Sequence, residues 1–255
     1  MRLILCSFLV VFYCSCNQSA ELSDQPIVIE EDKNTTLVDQ AVDLSIVMGK
    51  FDPSAHDDFV LIEKKYADRE GLYLQEEAYS AFKRMYKAAK ELGIDLIIRS
   101  ATRNFDYQRG IWERKWKANQ NADKNIIPKA NALKILKYSS MPSTSRHHWG
   151  TDIDLNSFEN SWFGSGEGLK LYEWMVSNAA DYGYCQVYTA KDEDRPDGYN
   201  EEKWHWSYLP IANKYYKIAD ANMKDEMIKG FDGSEVAEEI GVVEKYILGI
   251  DKSCK

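Results

Sequence analysis

The segment TSRHHWGTDIDLN, residues 144–156, sets His147 beside His148 and separates Asp152 from Asp154 by one residue. A second segment, EEKWHW at 201–206, adds Glu202 and His205. Three of the chain's four histidines therefore lie next to carboxylates in two short stretches. Zinc takes such donors, imidazole nitrogen and carboxylate oxygen, at about 2.0–2.2 Å, and catalytic sites use three protein ligands with one position open. By residue type the candidate donors are His147, His148, His205, Asp152, Asp154 and Glu202. His56, in DPSAHDDF, lies in an early loop and is expected to be solvated.

A serine–histidine–aspartate hydrolase would use similar residues. It requires a nucleophile elbow of the form G-x-S-x-G, and GSGEG at 164–168 does not supply one. That chemistry is set aside.

These residues must be held by regular elements. TDIDLN alternates apolar and acidic residues, as a strand does when one face meets a core and the other a site. On a regular strand Asp152 and Asp154 share a face, so Asp152 either orients a ligand or replaces Asp154 as one. LQEEAYSAFKRMYKAAKELG, 74–93, carries Leu74, Ala78, Phe82, Met85 and Ala89 at helical spacing and stops at Gly93. IDLIIRS, 94–100, has strand character, and DYQRGIWERKWKAN predicts a helix with Ile111, Trp112 and Trp116 along its apolar stripe. A further helix is expected over 168–183, with strands at YCQVYT and KWHWSYL flanking the polar loop 190–202. The tail from Pro210 is expected to be helical and peripheral. The element order predicts an α+β domain with a small antiparallel sheet.

The whole chain has 255 residues, of which 44% are hydrophobic and 29% charged, sufficient for one domain with a sizeable core. A net charge of −9 argues against nucleic-acid binding and against electrostatic docking onto anionic lipid. The N-terminal MRLILCSFLVVFYCSCNQS has Arg2, an apolar run from Leu3 to Tyr13, then small and polar residues. That run is too short to span a bilayer but suits a signal-peptide core. Residues 1–15 are expected to be a signal peptide and 16–40 a flexible acidic tether, leaving 41–255 as the domain. Among the five cysteines, Cys185 and Cys254 either pair in an oxidising compartment or stay free. The favoured expectation is the free form, Cys185 packed in the core and Cys254 at a frayed end.

Two motifs resemble those of a known family. SRHHWGTDID, 145–154, resembles the S-x-H-x-x-G-x-A-x-D pattern of the LAS metallopeptidases, and EKWHW, 202–206, resembles their E-x-W-H pattern. SATRNFDYQ, 100–108, is similar to the S-x-x-R element with following glutamine of the D-alanyl-D-alanine carboxypeptidase (VanY-type) branch. The resemblance implies the LAS fold of hedgehog and D-Ala-D-Ala peptidases, a small antiparallel sheet with flanking helices. It implies zinc held by His147, Asp154 and His205, with Glu202 as general base. It also implies Arg103 as the clamp for a substrate carboxylate, in preference to Arg146 or Arg195, with Ser145 and Gln108 in the same pocket. Asp152 departs from the pattern, which most often has alanine there. His148 is expected to be a hydrogen-bonding residue beside the ligand.

The implied activity is removal of the C-terminal D-alanine from peptidoglycan stem peptides by a monomer. Peptidoglycan endopeptidase, D-Ala-D-Ala dipeptidase and a non-catalytic zinc-containing wall-binding module are the alternatives. Retention of both Glu202 and Arg103 favours catalysis. The N-terminal segment resembles a bacterial lipoprotein signal, which implies cleavage before Cys16, a lipid anchor there and an extracytoplasmic location.

Overall fold

The structure is a computed structural model and describes residues 43–255. The expected signal peptide, the Cys16 anchor and the tether lie outside the described residues.

The chain enters through a hairpin of β1 (Phe59–Leu61) and β2 (Tyr73–Gln75), which pair antiparallel. Helix α1 (Glu76–Glu91) follows at once and buries Ala78, Phe82, Met85 and Ala89. Leu74, read from the sequence as the start of that helix, belongs instead to β2. The local pattern is the same in either state, and only the pairing with β1 decides it. Gly93 lies just past the helix at φ +70°, where a residue without Cβ is favoured.

Four strands then form the central sheet: β3 (Ile98–Ser100), β4 (Asp152–Leu155), β5 (Tyr184–Cys185) and β6 (His205–Tyr208). Their spatial order is β3-β4-β6-β5, all antiparallel. Between β3 and β4 come α2 (Phe105–Ala122) and α3 (Pro128–Ile135), while α4 (Gly166–Asn178) links β4 to β5. Asn104 caps α2 by accepting from the Tyr107 amide at 2.9 Å. Helix α3 carries only a weak apolar pattern and was not expected from the sequence.

The expected alternation in β4 holds. Ile153 and Leu155 join Trp206 and Tyr208 of β6 in a core with α1 and α4. Both aliphatic side chains are fully buried, a burial that contributes about 1.5–3 kcal/mol each. Asp152, Asp154, His205 and Ser207 occupy the opposite face.

The tail is not peripheral. Helix α5 (Leu209–Asn222) and the segments after it, including α6 (Ala237–Ile240), supply much of a second core around Trp112, Trp116 and Trp149. The favoured reading of the cysteines is also corrected, because Cys185 and Cys254 form a disulfide with Cα atoms 5.9 Å apart. The folded tail brings Cys254 back to β5. Its separation of 69 residues concealed this proximity.

Candidate functional site

In the β4–β6 register Asp154 lies opposite His205 and Asp152 opposite Ser207. His147 comes from a short 3₁₀ turn, Arg146–Trp149, immediately before β4. Gly150 ends that turn at φ +70°, and a Cβ there would collide with the Phe59 ring. Gln75 of β2 fixes the turn by donating its side-chain amide to the Trp149 carbonyl at 2.7 Å.

The side chains converge tightly. His147 Nε2 lies 3.2 Å from His205 Nδ1 and 3.3 Å from an Asp154 oxygen, while His205 Nδ1 lies 3.1 Å from the other Asp154 oxygen. Ligands at zinc-bond lengths in a tetrahedron stand about 3.3–3.6 Å apart. The outer ring nitrogens are already committed. His147 Nδ1 donates to the Ala101 carbonyl at 2.8 Å, and His205 Nε2 donates to Asp152 Oδ1 at 2.9 Å. With both rings neutral, each turns a lone pair inward, and with Asp154 three acceptors face one point. A cation is the natural occupant of such a cluster.

Asp152 stands behind this cluster. Its carboxylate accepts from His205, Arg146 Nε, Thr151 and Ser207, which is complete satisfaction for a fully buried group. Arg146 also donates to Ser207 at 2.7 Å and lies over the Trp149 ring. Burial alone would raise the Asp152 carboxyl, yet Arg146 and His205 hold it well below the usual carboxylate range. Asp154 is likewise held low, against burial, by His147 and His205. Burial also opposes a proton on His205, but Asp152 and Asp154 push it up to about 9. His147 is lowered by burial and by Arg103.

Glu202 is buried with one carboxylate oxygen 3.6 Å from His205 Nδ1. Burial pushes its carboxyl up to about 8, against the pull of His205. A carboxyl so placed can take and return a proton near neutrality. Its backbone amide donates to the Tyr188 carbonyl at 2.9 Å.

A cavity of about 700 Å³ opens over the cluster. Arg103, Ser145, His147, Asp154, Glu202 and His205 all line it. Among the described residues Arg103 has no ion-pair partner, and its Nε and the Ser145 hydroxyl are buried without hydrogen-bond partners. Gln108 does not line the cavity; it donates to the Ser140 carbonyl at 2.8 Å from behind the wall. Arg195 donates its terminal nitrogens to the carbonyls of Thr189, Asp197 and Tyr199, in and beside the polar loop. His56 stands against Phe51 and Phe59, away from the cluster.

His148 points away from the donor cluster, as expected. Its Nδ1 donates to the Arg103 carbonyl at 2.5 Å and its Nε2 accepts from the Ser143 amide at 3.2 Å. Burial lowers it to about 3, which leaves a neutral ring able to do both. Residues not singled out from the sequence also shape the cavity, notably Tyr188, whose ring lies 4.7 Å from that of His205, with Tyr138 and Phe158 at the mouth. In sequence such aromatics look no different from core residues. Lys115 was equally silent, although it lies one turn beyond Ile111, which shares the cavity.

This small antiparallel sheet with flanking helices is the fold of the LAS metallopeptidase class. The sequence model of VanY, D-alanyl-D-alanine carboxypeptidase, matches residues 71–211, and the chain belongs to that family. It is similar to "Putative carboxypeptidase YodJ" of Bacillus subtilis (strain 168), with 28% identity over 182 residues covering 68% of this chain and 59% of that protein. An uncharacterized Haemophilus influenzae (strain ATCC 51907 / DSM 11121 / KW20 / Rd) protein is 27% identical over 84 residues, covering 28% of this chain and 61% of that protein. These matches span about three fifths of each relative's length. The solved structure of the LdcB LD-carboxypeptidase shares the fold, with TM-score 0.50, 22% identity and coverage of 78% of this chain and 81% of that one.

Proposed function

We propose that this chain is a zinc-dependent carboxypeptidase that removes the C-terminal D-alanine from peptidoglycan stem peptides. The observation that carries this reading is one cavity holding both a three-acceptor donor cluster and an unpaired guanidinium, Arg103. His147, Asp154 and His205 would hold the zinc. When bound, it would polarise the scissile carbonyl and acidify water.

The chain's own groups do the rest. Arg103 grips the terminal carboxylate through parallel hydrogen bonds, and Ser145 adds a neutral donor that fixes the peptide's depth. Glu202 takes the proton of the attacking water and returns it to the leaving amine. Asp152, paired with Arg146, keeps the His205 ring in the tautomer that turns Nδ1 inward. Gln108 supports the wall through Ser140. The domain comprises 41–255 and works as a monomer outside the cytoplasm. Residues 1–15 direct export, and the acidic segment 16–40 tethers the domain to a lipid-modified Cys16.

The test compares stem peptides with free and amidated C-termini, read by mass spectrometry. Loss of one terminal alanine from the free acid is expected, with amidation costing about 2–5 kcal/mol in kcat/KM if the carboxylate is desolvated against Arg103. Arg103→Ala should erase that preference. Equal cleavage of acid and amide would remove the clamp from the reading and favour endopeptidase action.

A further inference from the structure

The cavity contains a second cation that the proposed reaction does not use. Helix α2 projects Ile111 and Lys115 into it, four residues apart and so on one side of the helix, while Trp112 and Trp116 turn into the core. The Lys115 amine donates to the Ser139 hydroxyl at the cavity wall. Neither Lys115 nor Arg103 has a carboxylate within ion-pair distance among the described residues. Burial and the Arg103 charge lower Lys115, while the Glu202 carboxylate in the same cavity acts in the opposite sense.

Asp154, Glu159 and Glu202 also line the cavity, but none pairs with Lys115 or Arg103, so both cations remain free to pair with an anionic ligand. A terminal alanine carries a single carboxylate, which Arg103 takes. Any further negative charge must come from a residue upstream of the scissile amide. We infer that Lys115 forms a second anion-binding position, reading a side-chain carboxylate on the amino-terminal part of the substrate. The substrate class is then a peptide with two carboxylates in reach of the cavity, one terminal and one on an upstream dicarboxylic residue. This rests on the peptidase reading.

Specificity then has two separable parts. Arg103 demands a free C-terminus, and Lys115 ranks peptides by the charge of an upstream side chain. An exposed pair contributes about 1 kcal/mol at most, roughly fivefold in KM, with kcat little changed.

The test uses the metal-loaded full chain and two peptides that share a free C-terminus. They differ only in whether the upstream side chain ends in a carboxylate or a carboxamide. The unmodified protein is expected to show a KM roughly fivefold lower for the acid. Lys115→Met should equalise the two peptides by raising KM for the acid alone, and Lys115→Arg should keep the preference. Equal KM values in the unmodified protein overturn the second position. So does a Lys115→Met change that weakens both peptides alike, since Lys115 would then serve the terminal carboxylate. Both results leave the peptidase reading intact if Arg103→Ala still abolishes discrimination against a C-terminal amide. Failure to cleave either peptide would overturn that reading and the second position with it.

Discussion

The two faces of β4 and β6 are equally buried and differently satisfied. On one face Ile153, Leu155, Trp206 and Tyr208 need only apolar neighbours, which α1 and α4 supply. On the other, Asp152, Asp154, His205 and Ser207 need partners for every polar atom. Asp152 and Ser207 have them all within the protein. The inward atoms of His147, His205 and Asp154 have only one another, and the Arg103 Nε and Ser145 hydroxyl have none. Burial therefore does not separate structure from function here. Unmet bonding capacity converging on one cavity does.

The two aspartates give the largest expected break in that comparison. Asp154→Ala removes one of three acceptors and should leave the purified protein essentially without zinc, as measured by elemental analysis. Asp152→Asn removes a charge behind His205 and should weaken zinc affinity by about 10–100-fold in competition with a chelator, without abolishing it. Zinc retained in Asp154→Ala but lost in Asp152→Asn would exchange their roles.

Glu202 comes next. Glu202→Gln keeps the shape and removes the transferable proton, so kcat should fall about 10²–10⁴-fold while zinc content is unchanged. Near-normal turnover would place the base elsewhere, with Asp152 the next carboxylate to examine.

The strands β4 and β6 and the candidate donors were legible in the sequence from short-range pattern. The choice of His147, Asp154 and His205 among those donors came from the family resemblance. Period-two alternation in TDIDLN put Asp152 and Asp154 on one face, and α1 followed from the spacing of Ala78, Phe82, Met85 and Ala89. What depended on distant partners was not legible. Leu74 needs β1 to become a strand residue, and the tail needs Trp112 and Trp149 to become core. Tyr188 and Lys115 became cavity residues only when the segment after β5 and helix α2 were brought around one opening. Asp152 lay between these cases. Its face was readable, but its task depended on Arg146 and Ser207 lying within reach.

The disulfide sharpens the comparison from outside the site. Asp251 donates its backbone amide to Val187, and Thr189 donates to its side chain, so the tail braces the segment carrying Tyr188. Cross-linking residues 69 apart limits the unfolded chain, and such bonds typically stabilise by about 2–4 kcal/mol. Cys254→Ser should lower unfolding stability by about that amount in denaturant titration, with zinc still bound under native conditions. An unchanged midpoint would mean that packing of α5 and the following turns holds the tail unaided.

The smallest effect concerns His148, a polar residue with both ring nitrogens satisfied. It ties the Arg103 carbonyl to the Ser143 amide, so it joins the loop carrying the proposed clamp to the loop carrying Ser145. Gly49 packs against the ring so closely that a Cβ there would overlap it, which leaves the imidazole little freedom to turn. Removing one partner of a buried hydrogen bond costs about 1–3 kcal/mol because the other is left unmet. His148→Leu leaves two backbone groups unmet and should loosen both loops. His148→Gln retains one donor and one acceptor and should recover part of the loss. If His148 acts by position, KM for a free-acid peptide should rise in His148→Leu while KM for the amidated peptide and zinc content stay near their original values. Equal deterioration of both peptides, or loss of zinc, would show instead that His148 supports the donor turn through its neighbour His147.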